Sequence, residues 1–239
     1  MHGAFEYRDG DNVLEGFLAV GEDGPERRPA VLVAHQWGGL TDHERAAATN
    51  LAQEGYLAFA IDVYGKGVRG GSNEENAALM GPWMADRAKL RTRLLAAVAA
   101  AADHPRADPH KMAVIGYCFG GLCALDLARS GDDRVKAAVS VHGVFAPPGL
   151  GPQGPISASV LVQHGYADPM APPKDLLQLA EELTAAGADW QVHAYGHALH
   201  AFTAEGVHHP ELGLAFNEKA ARRSHESRTA FLRETFALG

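Results

Sequence analysis

The sequence predicts an α/β protein with a mostly parallel central sheet flanked by helices on both faces, and three observations carry that expectation. Short runs at 30–34, 57–61, 112–115, 135–141 and 160–164 are apolar almost throughout, as strands covered on both faces are. Helical stretches separate most of them, in the alternation that builds a parallel sheet. Several of these runs lead directly into a turn that carries reactive side chains, which is where an open parallel sheet holds its ligand.

Taken in order, residues 12–20 alternate weakly and are expected to form an antiparallel strand, ended by the turn Gly21-Glu22-Asp23-Gly24-Pro25. Residues 30–34 begin the parallel core and lead into His35-Gln36-Trp37-Gly38-Gly39. Thr41 is placed to cap the next helix, with Glu44 completing a capping box and Gly55 stopping it. After the strand 57–61 comes Asp62-Val63-Tyr64-Gly65-Lys66-Gly67-Val68-Arg69-Gly70-Gly71, too glycine-rich for regular structure. Residues 74–102 read as helical, with a break expected near Gly81-Pro82 because proline has no N–H to give.

Strand 112–115 runs into Gly116-Tyr117-Cys118-Phe119-Gly120-Gly121, and a helix follows over 122–129. Strand 135–141 ends in His142-Gly143, and 147–155 is a connecting loop. Strand 160–164 leads into Gly165-Tyr166-Ala167-Asp168-Pro169, then a helix over 172–186. Residues 190–195 are the last strand, followed by Gly196-His197-Ala198-Leu199-His200-Ala201-Phe202, and an amphipathic helix over 217–236 closes the chain. No internal repeat interrupts this series, so one domain is expected over residues 1–239.

Composition narrows the function. The chain has 239 residues, 46% of them hydrophobic, and a formal charge of -8, so no basic excess exists to attract nucleic acid or an anionic membrane. No apolar run approaches the ~20 residues that span a bilayer, and residues 1–20 lack the basic and continuous apolar parts of a secretory signal. A cytoplasmic protein acting on a small molecule is the expectation. Two cysteines, Cys118 and Cys123, are too few for a disulfide scaffold and are read as reduced thiols.

The chemistry centres on Cys118. A nucleophile between glycines, after a strand and before a helix, reads as a G-x-Nu-x-G elbow with Cys in place of the usual Ser. A buried structural thiol and an anion-binding helix N-terminus are the bland alternatives. Asp168 and His200 each stand just past a later strand, giving the chain order nucleophile, acid, histidine. His193, His197, His200, His208 and His209 also raise a metal site, but a strand and a loop give their spacing no convergent geometry, so neither metal nor cofactor is expected.

The motifs His35-Gln36-Trp37-Gly38-Gly39, Asp62-Val63-Tyr64-Gly65, Gly116-Tyr117-Cys118-Phe119-Gly120-Gly121, His164-Gly165-Tyr166-Ala167-Asp168-Pro169 and Gly196-His197-Ala198-Leu199-His200-Ala201-Phe202 resemble those of the dienelactone hydrolase family over nearly the whole chain. That resemblance implies an α/β-hydrolase fold and a cysteine hydrolase of esters or lactones. Two positions depart from the family pattern: Gln36 stands where the best-described members carry a glutamate, and Ala204 where they carry an arginine.

The expected mechanism follows. A Cys118 thiolate, favoured by the helix N-terminus and His200, attacks the carbonyl, and Asp168 orients His200. Backbone N–H groups of Phe119 and Trp37 hold the oxyanion. Gln36, Tyr64, Trp83, Tyr117 and His142 are the candidate pocket lining, and Lys66 and Arg69 are the loop cations within reach of it. With Ala204 in place of an arginine and an aromatic lining of Trp37, Tyr64, Phe119 and Trp83, neutral esters or lactones are the expected substrates. A thiol acyltransferase and a non-catalytic small-molecule receptor are the rival readings, and the oligomeric state is left open.

Overall fold

Eight strands form one sheet in the order β1-β2-β4-β3-β5-β6-β7-β8, described over residues 1–237 by a computed structural model. They are β1 (His2–Asp9), β2 (Asn12–Val20), β3 (Arg28–Ala34), β4 (Leu57–Ala60), β5 (Ala107–Tyr117), β6 (Val135–Val141), β7 (Ser159–Gly165) and β8 (Trp190–Tyr195). Pairing is antiparallel from β1 through β2 to β4 and parallel from β4 through β3 to β8. The helices are α1 (Asp42–Gln53), α2 (Asn73–Ala85), α3 (Arg87–Ala102), α4 (Phe119–Arg129), α5 (Pro173–Ala185) and α6 (Glu218–Thr235).

Side chains that alternate along a strand face opposite sides, and the sheet accordingly has a core on each face. Leu32, Phe59, Val114 and Val162 join Leu94, Leu122 and Leu179 from α3, α4 and α5. Val31, Val33, Ile115 and Leu161 join Leu51 from α1 and Phe231 and Leu232 from α6.

Two elements differ from expectation. β1 pairs with β2 from His2↔Ala19 to Asp9↔Asn12, around a two-residue turn in which Gly10 takes φ +57°. Its exposed residues outnumber its buried ones, so periodicity left no trace of it in the sequence, although a glycine first in a two-residue loop is itself a hairpin signal. The helical stretch breaks at Asp86, four residues after Pro82, which stays inside α2. There the Asp86 side chain accepts from the Lys89 N–H and caps α3, so a new helix start overrides the proline.

The glycine-rich loop after β4 is pinned. Asp62, fully buried, accepts from the backbone N–H groups of Glu15, Tyr64 and Gly65, and Gly70 N–H donates to Gly38 O at 3.0 Å. On the opposite flank a buried ionic cluster ties three helices to the segment after β6. Arg87 makes two bonds to Asp126, at 2.7 and 2.6 Å, and Arg129 two to Glu182, at 2.7 and 2.8 Å. Both guanidinium groups also donate to the Ala146 carbonyl, and Arg129 to that of Phe145.

Because Asp126 is the shared acceptor of two buried cations, Asp126→Ala leaves Arg87 without its carboxylate. Losing one partner of a buried pair costs about 3–5 kcal/mol, so a lower urea midpoint with an unchanged m value is expected. A midpoint within error of the parent would show that the cluster adds nothing to stability.

Candidate active site

The C-terminal ends of the parallel strands bring Trp37 after β3, Cys118 after β5, His142 after β6, Asp168 after β7 and His200 after β8 to one edge of the sheet. Cys118 has φ 57° and ψ -117°, a strained conformation for a residue with a Cβ, and α4 starts at the next residue. The glycines make that turn possible. A Cβ on Gly116 would strike the Gly120 carbonyl, one on Gly120 would strike the Ala34 carbonyl of β3, and one on Gly121 would lie 2.7 Å from Gly143 Cα. Cys118 is half-buried, whereas Cys123 is fully buried, and that burial, with Asp126 nearby, pushes its thiol well above the usual range.

Asp168 and His200 are both buried, and His200 Nδ1–H donates to Asp168 Oδ2 at 2.7 Å. The other carboxylate oxygen accepts from Met170 N–H at 2.8 Å. The two loops are also packed by backbone: Gly165 leaves no room for a Cβ against the Ala198 and Leu199 carbonyls, and Ala167 N–H donates to Ala198 O at 3.0 Å. His200 N–H donates to Gly213 O, and Ala215 N–H to His200 O, next to a ribbon of β9 (His208–His209) and β10 (Leu214–Ala215). Gly213, at φ +77°, has Pro169 where a Cβ would stand, so the acid loop and the histidine loop meet there.

With its Nδ1 proton on Asp168, His200 keeps Nε2 buried and without a hydrogen-bond partner among the described residues. Burial pulls the imidazolium down, but the bond to Asp168 and the neighbouring Cys118 sulfur, which lies outside strict hydrogen-bond geometry, hold the proton more strongly. The balance lies at about 10.

The loop after β3 is clamped from both sides. His35 Nδ1–H donates to Gln36 O at 2.6 Å while its Nε2 accepts from Val63 N–H, and burial holds this imidazole neutral. Gln36 N–H donates to the fully buried Glu44, which also accepts from the Thr41 N–H and hydroxyl in the expected capping box. Tyr64 OH donates to Trp37 O at 2.8 Å. Neither the Trp37 nor the Phe119 N–H has a hydrogen-bond partner among the described residues.

Other expected lining residues are placed differently. Trp83 is 8% exposed, with the Arg93 guanidinium 4.8 Å and the Lys89 ammonium 5.1 Å from its ring, so it is packed in the core and does not line the mouth. The Phe119 side chain is buried against Tyr64, which leaves Trp37 and Tyr64 as the half-exposed aromatics. Tyr117 and Gln36 line a cavity of about 530 Å³ beside the site, with Thr203 and Ala204. His142 is 1% exposed and lies behind Cys118. The loop cations turn away: Lys66 pairs with Glu6 and Glu15, and Arg69 with Asp62 and three backbone carbonyls. Thr203 and Gly213 were not singled out by sequence, since a threonine and a glycine on a loop carry no spacing signal.

Among the described residues, no group of three or more His, Cys, Asp or Glu side chains is arranged to hold a metal ion, and no helix is long and apolar enough to cross a membrane.

A model of the Dienelactone hydrolase family matches residues 14–236. The fold is similar to that of a dienelactone hydrolase-like promiscuous phosphotriesterase from metagenomic libraries, with 31% identity, a TM-score of 0.89 and 98% of each chain covered. A putative dienelactone hydrolase from Klebsiella pneumoniae shares the fold at 23% identity and a TM-score of 0.82, over 97% of this chain and 98% of that one. In sequence, a putative carboxymethylenebutenolidase of Methylorubrum extorquens is 29% identical over 206 residues, 82% of this chain and 70% of the relative.

The raised pKa of His200 has a thermodynamic sign. An unfolded histidine titrates near ~6.5, so the contribution of His200 to stability is complete below that pH and is lost as pH rises through about 10. Urea unfolding of the parent is therefore expected to weaken between neutral pH and the upper end of that window more steeply than unfolding of His200→Asn. Equal slopes would mean that the proton is not held in the folded state.

Proposed function

The chain belongs to the dienelactone hydrolase family of α/β-hydrolase enzymes and is a carboxylic ester hydrolase; on that premise we propose that Cys118, His200 and Asp168 form its catalytic triad, acting on neutral esters and lactones through a thioester. The observation that carries this reading is the buried Nε2 of His200, without a hydrogen-bond partner among the described residues, beside a strained cysteine elbow, with its Nδ1–H held by Asp168.

In the proposed cycle the Cys118 thiolate attacks the carbonyl carbon, and the carbonyl electron pair moves onto oxygen. Two backbone N–H groups without hydrogen-bond partners among the described residues, those of Trp37 and Phe119, receive that oxyanion. As the intermediate collapses, His200 gives its Nε2 proton to the departing alkoxide and the acyl group stays on sulfur. His200 then takes a proton from water, which attacks the thioester, and the acid leaves as the thiolate and imidazolium are restored. Amides are poor substrates, because a thiolate leaves the tetrahedral intermediate more readily than an amine does.

The preference for neutral substrates is supported by what surrounds the mouth. Lys66 and Arg69 are committed to carboxylates elsewhere, Arg228 beside the adjoining cavity is bound to Glu54 at 2.6 Å, and Ala204 offers no charge. A substrate carboxylate leaving water there would lack the paired guanidinium that offsets its desolvation. Both cysteines are free, which suits a reducing compartment, and we read the chain as a single cytoplasmic domain whose partner is its small-molecule substrate.

Cys118→Ala is expected to abolish hydrolysis of aryl acetates, while Cys123→Ala keeps the turnover of its folded fraction. Near-normal turnover by a clean preparation of Cys118→Ala would end the thiol mechanism. For substrate charge, a neutral methyl ester of a carboxylated lactone is expected to show a higher kcat/KM than the free acid at moderate salt. A tenfold advantage for the acid, about 1.4 kcal/mol of transition-state preference, would require a cationic anchor and overturn the charge reading.

A further inference from the structure

Among the described residues, His142 is the one buried histidine whose two ring nitrogens connect the nucleophile to the loop of the triad histidine. Its Nδ1 accepts from the backbone N–H of Cys118 itself at 3.2 Å, a donor shared with Val141 O at 3.1 Å. Since Nδ1 is the acceptor, the ring proton belongs on Nε2, which stands 2.9 Å from Thr203 Oγ1, three residues beyond His200. The ring is edge-on to His200, with centroids 5.1 Å apart, and to Phe202, at 5.3 Å.

The backbone also bears the mark of a site held under strain. His142 has φ +38°, outside the range that a side chain favours, and is followed by Gly143, where a Cβ would strike Ser140 Oγ. Were packing the only demand on this position, an apolar side chain would fill it without two buried polar atoms to satisfy. Burial and the facing His200 and His43 keep the imidazole neutral, which is the form that the two hydrogen bonds need.

We infer that His142 is a positioning residue: through Cys118 N–H on one side and Thr203 on the other, it sets the elbow and the His200 loop in mutual register. It touches no reacting atom. Its effect is on the separation and alignment of sulfur and Nε2, where displacement by about 1 Å is enough to lower a rate severely. This inference rests on the triad reading above for its catalytic consequence, but the hold of His142 on Cys118 can be read without any ester.

The test compares Thr203→Val, Thr203→Ser, His142→Leu and the Thr203→Val/His142→Leu pair. Two rates are measured: alkylation of Cys118 by iodoacetamide, located by peptide mass, and hydrolysis of an aryl acetate. Thr203→Val is expected to slow both by about fivefold or more with KM nearly unchanged, and Thr203→Ser to restore them. In the pair, adding Thr203→Val to His142→Leu should cost nothing further, because residues acting through one bond are not additive. Should His142→Leu fail to fold, the two Thr203 variants still decide, since Val keeps the shape of threonine without its hydroxyl and Ser keeps the hydroxyl without the methyl. Equal alkylation and equal kcat for those two overturn the inference. Turnover that survives Cys118→Ala would sink the triad mechanism alone, since alkylation would still report on His142.

Discussion

The structure depends on how closely α4 is allowed to approach the sheet. Its first turn lies against the backbone of β3 and the segment after β6 with no side chain between, and Gly116, Gly120, Gly121 and Gly143 are the positions at which any Cβ would force them apart. Everything at the site inherits that spacing. The approach leaves Cys118 alone at the crest in a strained conformation, at the N-terminus of α4, and puts His142 directly behind it. Burial of apolar side chains stabilises the two cores, but contact between bare backbones decides where the reactive atoms stand.

Charge is handled differently in two parts of the molecule. Around Arg87, Asp126, Arg129 and Glu182 full charges are buried in matched pairs and bind the segment after β6 to three helices. At the site itself the buried histidines 35 and 142 are neutral, each with one ring nitrogen donating and the other accepting. They act as fixed dipoles that aim backbone groups, leaving His200 as the imidazole whose proton is held firmly by a carboxylate. A site that must stabilise a transient negative charge gains from such arrangements, because little reorganisation is needed when that charge appears.

The fold was legible where two-sided burial wrote itself into composition. The runs that became β3 to β7 were recognised because both faces are covered, and β6 and β8 begin and end where the pattern does. The edge strand β1 was not, since an exposed strand has no apolar signature, and the α2–α3 break moved to Asp86 because a capping side chain outweighed a proline. At the site, residues at strand ends could be named in advance, and Cys118, Asp168 and His200 stand together at one edge. Side-chain direction could not be read. Trp83 turned into the core, Lys66 and Arg69 turned to nearby acids, and Thr203 mattered through a partner 61 positions away in the chain.

Glu44 has a consequence beyond its place in a capping box. It holds the first turn of α1 and, through Gln36 N–H, the peptide that leads into Trp37, so one carboxylate serves helix initiation and the loop after β3 together. Helix ends fray at far lower cost than a domain unfolds. Opening of the first hydrogen bonds of α1 therefore releases one of the holds on that loop, while His35 and Tyr64 keep theirs. Warming that frays the start of α1 is thus expected to loosen the peptide between Gln36 and Trp37 before the sheet itself opens.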